Sequence, residues 1–298
     1  MKRIAHSDFA CKCLTLSALL FLLPGWARAA ELRVPAKVEA GQGFSIPAEG
    51  SGQATFYLLG PDHVVKRTVN LARDLQIQSS DVRAAGRYQV ILCSSSSSSC
   101  ASATFEVKAA QPAQLSFFLH PSRVPVSTRD SIDATAFVFD QYFNLVLADA
   151  TVDFRVTPAS GAGFSRRAAT RQGVASIRMD STPREGAVHV TAVAGNVEQA
   201  RVVQQVAAEA CGLRMKVQPS GNNMITLETD PVRDCSGNAL PDGTVVSFTK
   251  IDMAGKSTVD TPIKKGIARV QFGVRGPAQI SVACGVVLGN ELTLSGKL

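Results

Sequence analysis

Seven cysteines and four histidines are among the side chains of this 298-residue chain suited to covalent or metal chemistry. A thiol pair can form a structural bridge, a redox couple or half of a metal site, and spacing separates these uses. Cys11 and Cys13 fall within the first 30 residues, leaving Cys93, Cys100, Cys211, Cys235 and Cys284. Cys93 and Cys100 bracket six consecutive serines, 94–99. A bridge there closes the base of a hairpin, and loop entropy gives so small a ring about 2.5 kcal/mol. Its spacing lacks the Cys-x-x-Cys context that activates a thiol. Of the other three, Cys235 with Cys284 is the preferred pair and Cys211 with Cys235 the next, with one cysteine left over. No histidine lies near them in sequence, so a zinc site lacks its fourth ligand.

His63, His120 and His189 stand apart, with no partner spacing among them. No Gly-x-Ser-x-Gly elbow, His-Glu-x-x-His pair or phosphate-cradling glycine loop occurs. Asp140 and Asp234 are isolated loop acids, short of the six to eight oxygens that calcium takes. The expectation is a non-enzyme without metal or cofactor. The only tryptophan, Trp26, lies in the first 30 residues, and the tyrosines are Tyr57, Tyr88 and Tyr142. Tyr142, in a loop with Phe143, is either the exposed aromatic of a candidate binding loop, since flat aromatic rings are what a sugar-binding module presents, or a ring that caps its own core.

Residues 1–30 begin with Lys2 and Arg3, continue in an apolar run from Leu14 to Leu23, and end in Ala27-Arg28-Ala29-Ala30. That order is the anatomy of a cleaved secretory signal peptide, and the apolar run is short for a membrane span. Cys11 and Cys13 precede the run, where a lipid-anchored cysteine would follow it. Removing Lys2, Arg3, Lys12 and Arg28 with Asp8 lowers the formal charge from +7 to +4. The remaining excess is dispersed, which argues against a nucleic-acid groove. No later stretch is long and apolar enough for a membrane span.

The elements that would position these residues are strands. Short runs rich in Val, Ile, Phe and Thr alternate with polar residues and break at Gly, Pro, Asn and Ser about every ten residues. The expected fold class is all-β: three tandem immunoglobulin-like β-sandwiches covering residues 31–108, 114–206 and 211–298. The division rests on a pattern written twice. Asp140-Gln141-Tyr142-Phe143-Asn144 leads to Val152-Asp153-Phe154, and Asp234-Cys235-Ser236-Gly237-Asn238 leads, at the same spacing, to Val246-Ser247-Phe248. Gly173 and Gly186 recur as Gly266 and Gly276. Asp and Asn suit a loop because their side chains bond local backbone, and the alternation behind them points Phe154 and Phe248 into a core. In the first unit Tyr88 is either a tyrosine corner or an ordinary packed ring.

On these residues, with Val174, Ala175, Pro241, Asp242 and Gly243, residues 114–298 resemble the bacterial immunoglobulin-like domains repeated in the stalks of invasin and intimin. Residues 31–108 are only generically immunoglobulin-like. In the first copy Phe143 stands where glycine usually precedes the asparagine. The resemblance implies rods. In those adhesins receptor binding belongs to a terminal lectin-like domain and anchoring to an outer-membrane barrel, neither of which occurs in this sequence.

The function expected is that of an exported, non-enzymatic rod in the periplasm, at the cell surface or outside the cell. It would act as scaffold or adhesion module, with a protein or glycan partner at the envelope and no nucleic acid. The alternatives are a carbohydrate-binding protein, or a periplasmic assembly subunit working through an edge strand.

Overall fold

A computed structural model describes residues 32–295 apart from 49, 95–98 and 222. The expected signal peptide and most of the serine loop lie outside the described residues. The first sandwich contains β1 (Lys37–Glu39), β2 (Phe44–Ile46), β3 (Gln53–Leu59), β4 (Val64–Asn70), β5 (Leu75–Ile77), β6 (Gly86–Ser94) and β7 (Cys100–Lys108). The second contains β8 (Gln114–His120), β9 (Arg123–Pro125), β10 (Ile132–Phe139), β11 (Thr151–Thr157), β12 (Phe164–Ala169), β13 (Val174–Met179), β14 (Gly186–Ala194) and β15 (Val197–Val206). The third contains β16 (Met215–Pro219), β17 (Met224–Thr229), β18 (Val245–Asp252), β19 (Gly255–Pro262), β20 (Arg269–Gly273), β21 (Ala278–Cys284), β22 (Val287–Leu288) and β23 (Leu292–Leu294).

Each unit sets a larger sheet against a smaller one. The larger sheets run β1-β7-β6-β3-β4, β12-β11-β14-β15-β9 and β19-β18-β21-β22, with β23 also on β21; facing them are β2-β5, β13-β10-β8 and β16-β17-β20. Alternation along the strands fills the space between. Phe56, Phe154 and Phe248 occupy the same place on β3, β11 and β18, each enclosed in its own core. Burying such a side chain contributes roughly 1.5–3 kcal/mol, so each sandwich carries its own apolar support. Antiparallel β11–β14 pairing puts Thr157 opposite His189 and Asp153 opposite Val193. The β10–β11 loop therefore lies at one pole of the sandwich and the β13–β14 loop at the other.

Tyr88 is fully buried, stacks on Phe105 at 5.3 Å between ring centroids, and donates its hydroxyl to the Ala84 carbonyl at 3.0 Å. Of the two roles open to it from sequence, the structure shows the corner. Burial, with Asp62 nearby, pushes its phenol up to about 12, so it stays a donor at physiological pH. Gly60 passes directly beneath the ring, where a Cβ would sit 2.5 Å from it.

The edge strands β12 and β19 carry no sequence signal. Almost every residue on both is exposed, so neither shows the polar–apolar alternation by which a half-buried strand is recognised. The cysteines also call for a correction. Cys93 is bridged to Cys100, but Cys235 is bridged to Cys211 and not to Cys284. Cys284 ends β21 facing the third core, where it is buried as a free thiol. Cys211 instead lies beside the Asp234 loop, its amide bonded to the Arg233 carbonyl.

Candidate functional site at the inter-domain joints

The twice-written Asp-x-x-x-Asn pattern builds the two joints between sandwiches. In the first copy Asp140 is fully buried and accepts four hydrogen bonds. Its Oδ1 takes the amides of Tyr142 at 2.8 Å and Asn144 at 2.9 Å, which folds the loop on itself. Its Oδ2 takes the Asn144 side-chain amide at 2.8 Å and the backbone amide of Ala110, in the link from the first sandwich, at 2.9 Å. Asn144, so oriented, reaches across the joint. Its Nδ2 donates to the Arg83 carbonyl at 2.7 Å, and its Oδ1 accepts from the Ala85 amide at 2.7 Å.

The second joint repeats this bond for bond. Asp234 Oδ1 accepts from the amides of Ser236 and Asn238 at 2.9 and 2.8 Å, and its Oδ2 from Asn238 Nδ2 at 2.9 Å and the Ala208 amide at 3.0 Å. Asn238 then donates to the Pro183 carbonyl at 2.8 Å and accepts from the Glu185 amide at 3.3 Å. Burial alone would raise the Asp234 carboxyl, but the hydrogen bonds from Asn238, Ala208 and Ser236 override it and hold it below its ordinary range. A carboxamide suits this role because it offers a donor and an acceptor side by side in one plane. Each asparagine thus grips a carbonyl and an amide two residues apart on the neighbouring loop.

The gripped loops are held from inside. In the first sandwich Ala84, between Arg83 and Ala85, is tied inward by Tyr88. In the second, Ser181 Oγ bonds the Pro125 carbonyl at 2.7 Å and the Thr128 amide at 2.8 Å, while buried Gln205 accepts from the amide and hydroxyl of Thr182. The backbone groups presented at the pole therefore have fixed positions.

Tyr142 is not an exposed binding ring. It packs against the first core, under the Arg83 guanidinium 5.9 Å from its centroid, and its hydroxyl lies 2.1 Å from where a Gly41 Cβ would be. Its side chain fills the gap left by that glycine, which sequence spacing could not show. Ser236, the matching residue, meets Ser127 of the preceding sandwich through hydroxyls 2.8 Å apart. Phe143 is 71% exposed and left-handed at φ 64°, where the matching Gly237 has φ 86°. A cavity of about 340 Å³ lies beside this joint, lined by Ala85, Val107, Ala109, Leu145, Leu147 and neighbours. A wider groove at the second joint is lined in part by Pro125, Val126, Ala210, Cys235, Leu240 and Cys284. Burial, with Glu209 adding to it, raises the Cys284 thiol, which disfavours the reactive thiolate.

His63 sits 2.7 Å from Asp62 in a turn. Among the described residues, no three His, Cys, Asp or Glu side chains come together as a metal cluster, and no helix is long and apolar enough to cross a membrane.

Solved structures share the fold over most of this chain. The Escherichia coli adhesin FdeC is similar over 88% of this chain and 94% of its own, with a TM-score of 0.58 at 12% identity. The chain has the tandem immunoglobulin-like fold. Invasin, a bacterial integrin-binding protein, matches over 88% of this chain and 58% of its own, with a TM-score of 0.47 at 13% identity. No protein-family model and no curated protein matches the sequence.

Proposed function

We propose that the protein is an exported, non-enzymatic rod of three immunoglobulin-like sandwiches that serves adhesion at the cell envelope or surface by holding its recognition surfaces at a fixed spacing. The observation that carries this is the pair of joints built by one chemistry. An inter-domain contact in a single chain ordinarily permits relative motion. Here each joint has two hydrogen bonds from one oriented asparagine to a neighbour's backbone, and a third from the link to a buried aspartate. That geometry restrains bending and torsion together.

Export is supported by residues 1–30 and by two disulfides, which persist in oxidising compartments. Absence of catalysis is supported by how the perturbed carboxylates are used. Perturbed groups mark catalytic sites when they face a cleft, whereas Asp234 and Asp252 are engaged with backbone amides and neighbouring side chains.

The test is saturable binding of labelled full chain to arrayed glycans, matrix proteins and host cells, beside cross-linking in the native envelope. Saturable binding supports adhesion. Its absence, together with a cross-linked envelope partner, would replace adhesion by an assembly role.

A further inference from the structure

One arrangement recurs in all three sandwiches at the pole that carries the gripped groups. Gly86, Gly186 and Gly276 open the equivalent strands β6 and β14 and the approach to β21. Pro61, Ala159 and Met253 respectively lie over them, each with a side-chain atom within 2.7 Å of where the glycine's Cβ would be. Counting back three residues and one residue from each glycine gives the gripped groups. These are the Arg83 carbonyl and Ala85 amide in the first sandwich, and the Pro183 carbonyl and Glu185 amide in the second. In the third they are the Gly273 carbonyl and the Arg275 amide.

Those two groups are not vacant. Lys250 Nζ donates to the Gly273 carbonyl at 2.8 Å, and Asp252 Oδ2 accepts from the Arg275 amide at 2.9 Å. Lys250 and Asp252 are themselves paired at 2.8 Å, with side chains 9% and 0% exposed. One donor and one acceptor, held side by side, satisfy the same two backbone groups that an asparagine satisfies at the other poles. We propose that the Lys250–Asp252 pair is an internal substitute for the next domain's asparagine, which closes the distal pole of the third sandwich to the joint that links the other two and makes that sandwich the terminal unit of the latched array.

The corresponding positions support the assignment. Where Lys250 stands in the third sandwich, the first has Leu58 and the second Val156, both buried and apolar. Where Asp252 stands, they have Gly60 and Pro158, neither able to offer a side-chain acceptor. A buried lysine on a core-facing strand position is unfavourable unless paired, and of the three sandwiches only the third carries one at this place, bonded to the carbonyl that it satisfies. At the opposite end, residues 47–52 of the first sandwich contain no Asp-x-x-x-Asn. The joint chemistry therefore runs one way and stops at the third unit.

The proposal is independent of what the rod binds, and its test does not involve a ligand. A second copy of residues 208–298 is appended to the full chain after residue 298, so that the new link keeps the register of the native joint. Spin-label distances are measured between Ser257 and its copy, and across the native second joint between Ser165 and Ser257. The new joint is expected to give a broader distribution than the native one. Replacing the appended copy's asparagine that matches Asn238 by alanine is expected to leave that distribution unchanged, and K250V/D252P, which restores the second sandwich's residues, to narrow it. A new joint as narrow as the native one overturns the proposal, as does broadening on loss of the appended asparagine or failure of a folded K250V/D252P chain to narrow. Should that variant not fold, the appended-asparagine comparison decides alone.

Discussion

Asn144 Oδ1 accepts the Ala85 backbone amide at 2.7 Å across 59 residues and a domain boundary. Truncation to alanine leaves that amide and the Arg83 carbonyl without partners at a half-buried joint, a loss of about 1–3 kcal/mol. Asn144→Ala is expected to broaden the angle between the first two sandwiches and to leave the second joint untouched; Asn238→Ala should do the converse. Asn144→Asp should be no milder. It keeps the acceptor but loses the donor, and it sets a second carboxylate against Asp140. Small-angle scattering with an ensemble fit reads this directly, and an unaltered profile for the double alanine variant would show that the latch does not restrain the rod.

Phe143 occupies the left-handed region that Gly237 occupies in the other copy. A residue with a Cβ is about 1–2 kcal/mol strained there, against about 0.5–1 kcal/mol of extra chain entropy for glycine. Since Phe143 is mostly exposed, little packing is lost on its removal. Phe143→Gly should therefore leave stability equal or raise it by up to about 1.5 kcal/mol, and Gly237→Ala should lower it. Thermal melts of the two variants in parallel check the pair. A clear loss in Phe143→Gly would mean that the ring is packed in solution.

Much of this was legible beforehand, and the reasons differ by element. Phe154 and Phe248 could be placed in cores because period-two alternation fixes which face a strand residue takes. Asp140, Asn144, Asp234 and Asn238 were recognisable as loop formers, and half of their bonds are local. Their other half was hidden, because a gripped carbonyl or amide belongs to any residue and leaves no trace in sequence. The place of Tyr142 was hidden for the same reason: its ring packs against the core of the neighbouring sandwich, in the gap left by Gly41. Lys250 did leave a signal. Aligned through Phe154 and Phe248, it is a charge where the other copy has buried Val156.

The chain lacking residues 1–30 should contain a single thiol, Cys284, that alkylates only after unfolding, since it is buried and its pKa raised. Breaking Cys211–Cys235, separated by 24 residues, should destabilise the third sandwich by about 3.5 kcal/mol on loop entropy. Peptide mapping under non-reducing conditions distinguishes this pairing from one through Cys284. A Cys235–Cys284 peptide would place Cys284 outside the core.

Asp252 makes the closed pole sensitive to acid. Lys250, then the Arg275 amide, hold its carboxyl down at about 2, whereas an unfolded aspartate titrates near ~3.9. A carboxyl whose pKa is lowered on folding contributes stability that is complete above the unfolded value and is lost as pH falls through the folded one. The contribution should therefore be intact at pH 5 and fade between roughly pH 4 and pH 2. Asp252→Asn keeps an oxygen for the Arg275 amide but removes the proton-linked charge, so it should be less stable than the parent at pH 5 and converge with it toward pH 2. Asp234 is also lowered on folding, so both proteins retain a common acid loss and only their difference reports the pole. Amide exchange at Arg275 across this range is the measurement. Equal protection in parent and variant at pH 5, or a constant difference down to pH 2, would show that the Asp252 charge does not hold the pole closed.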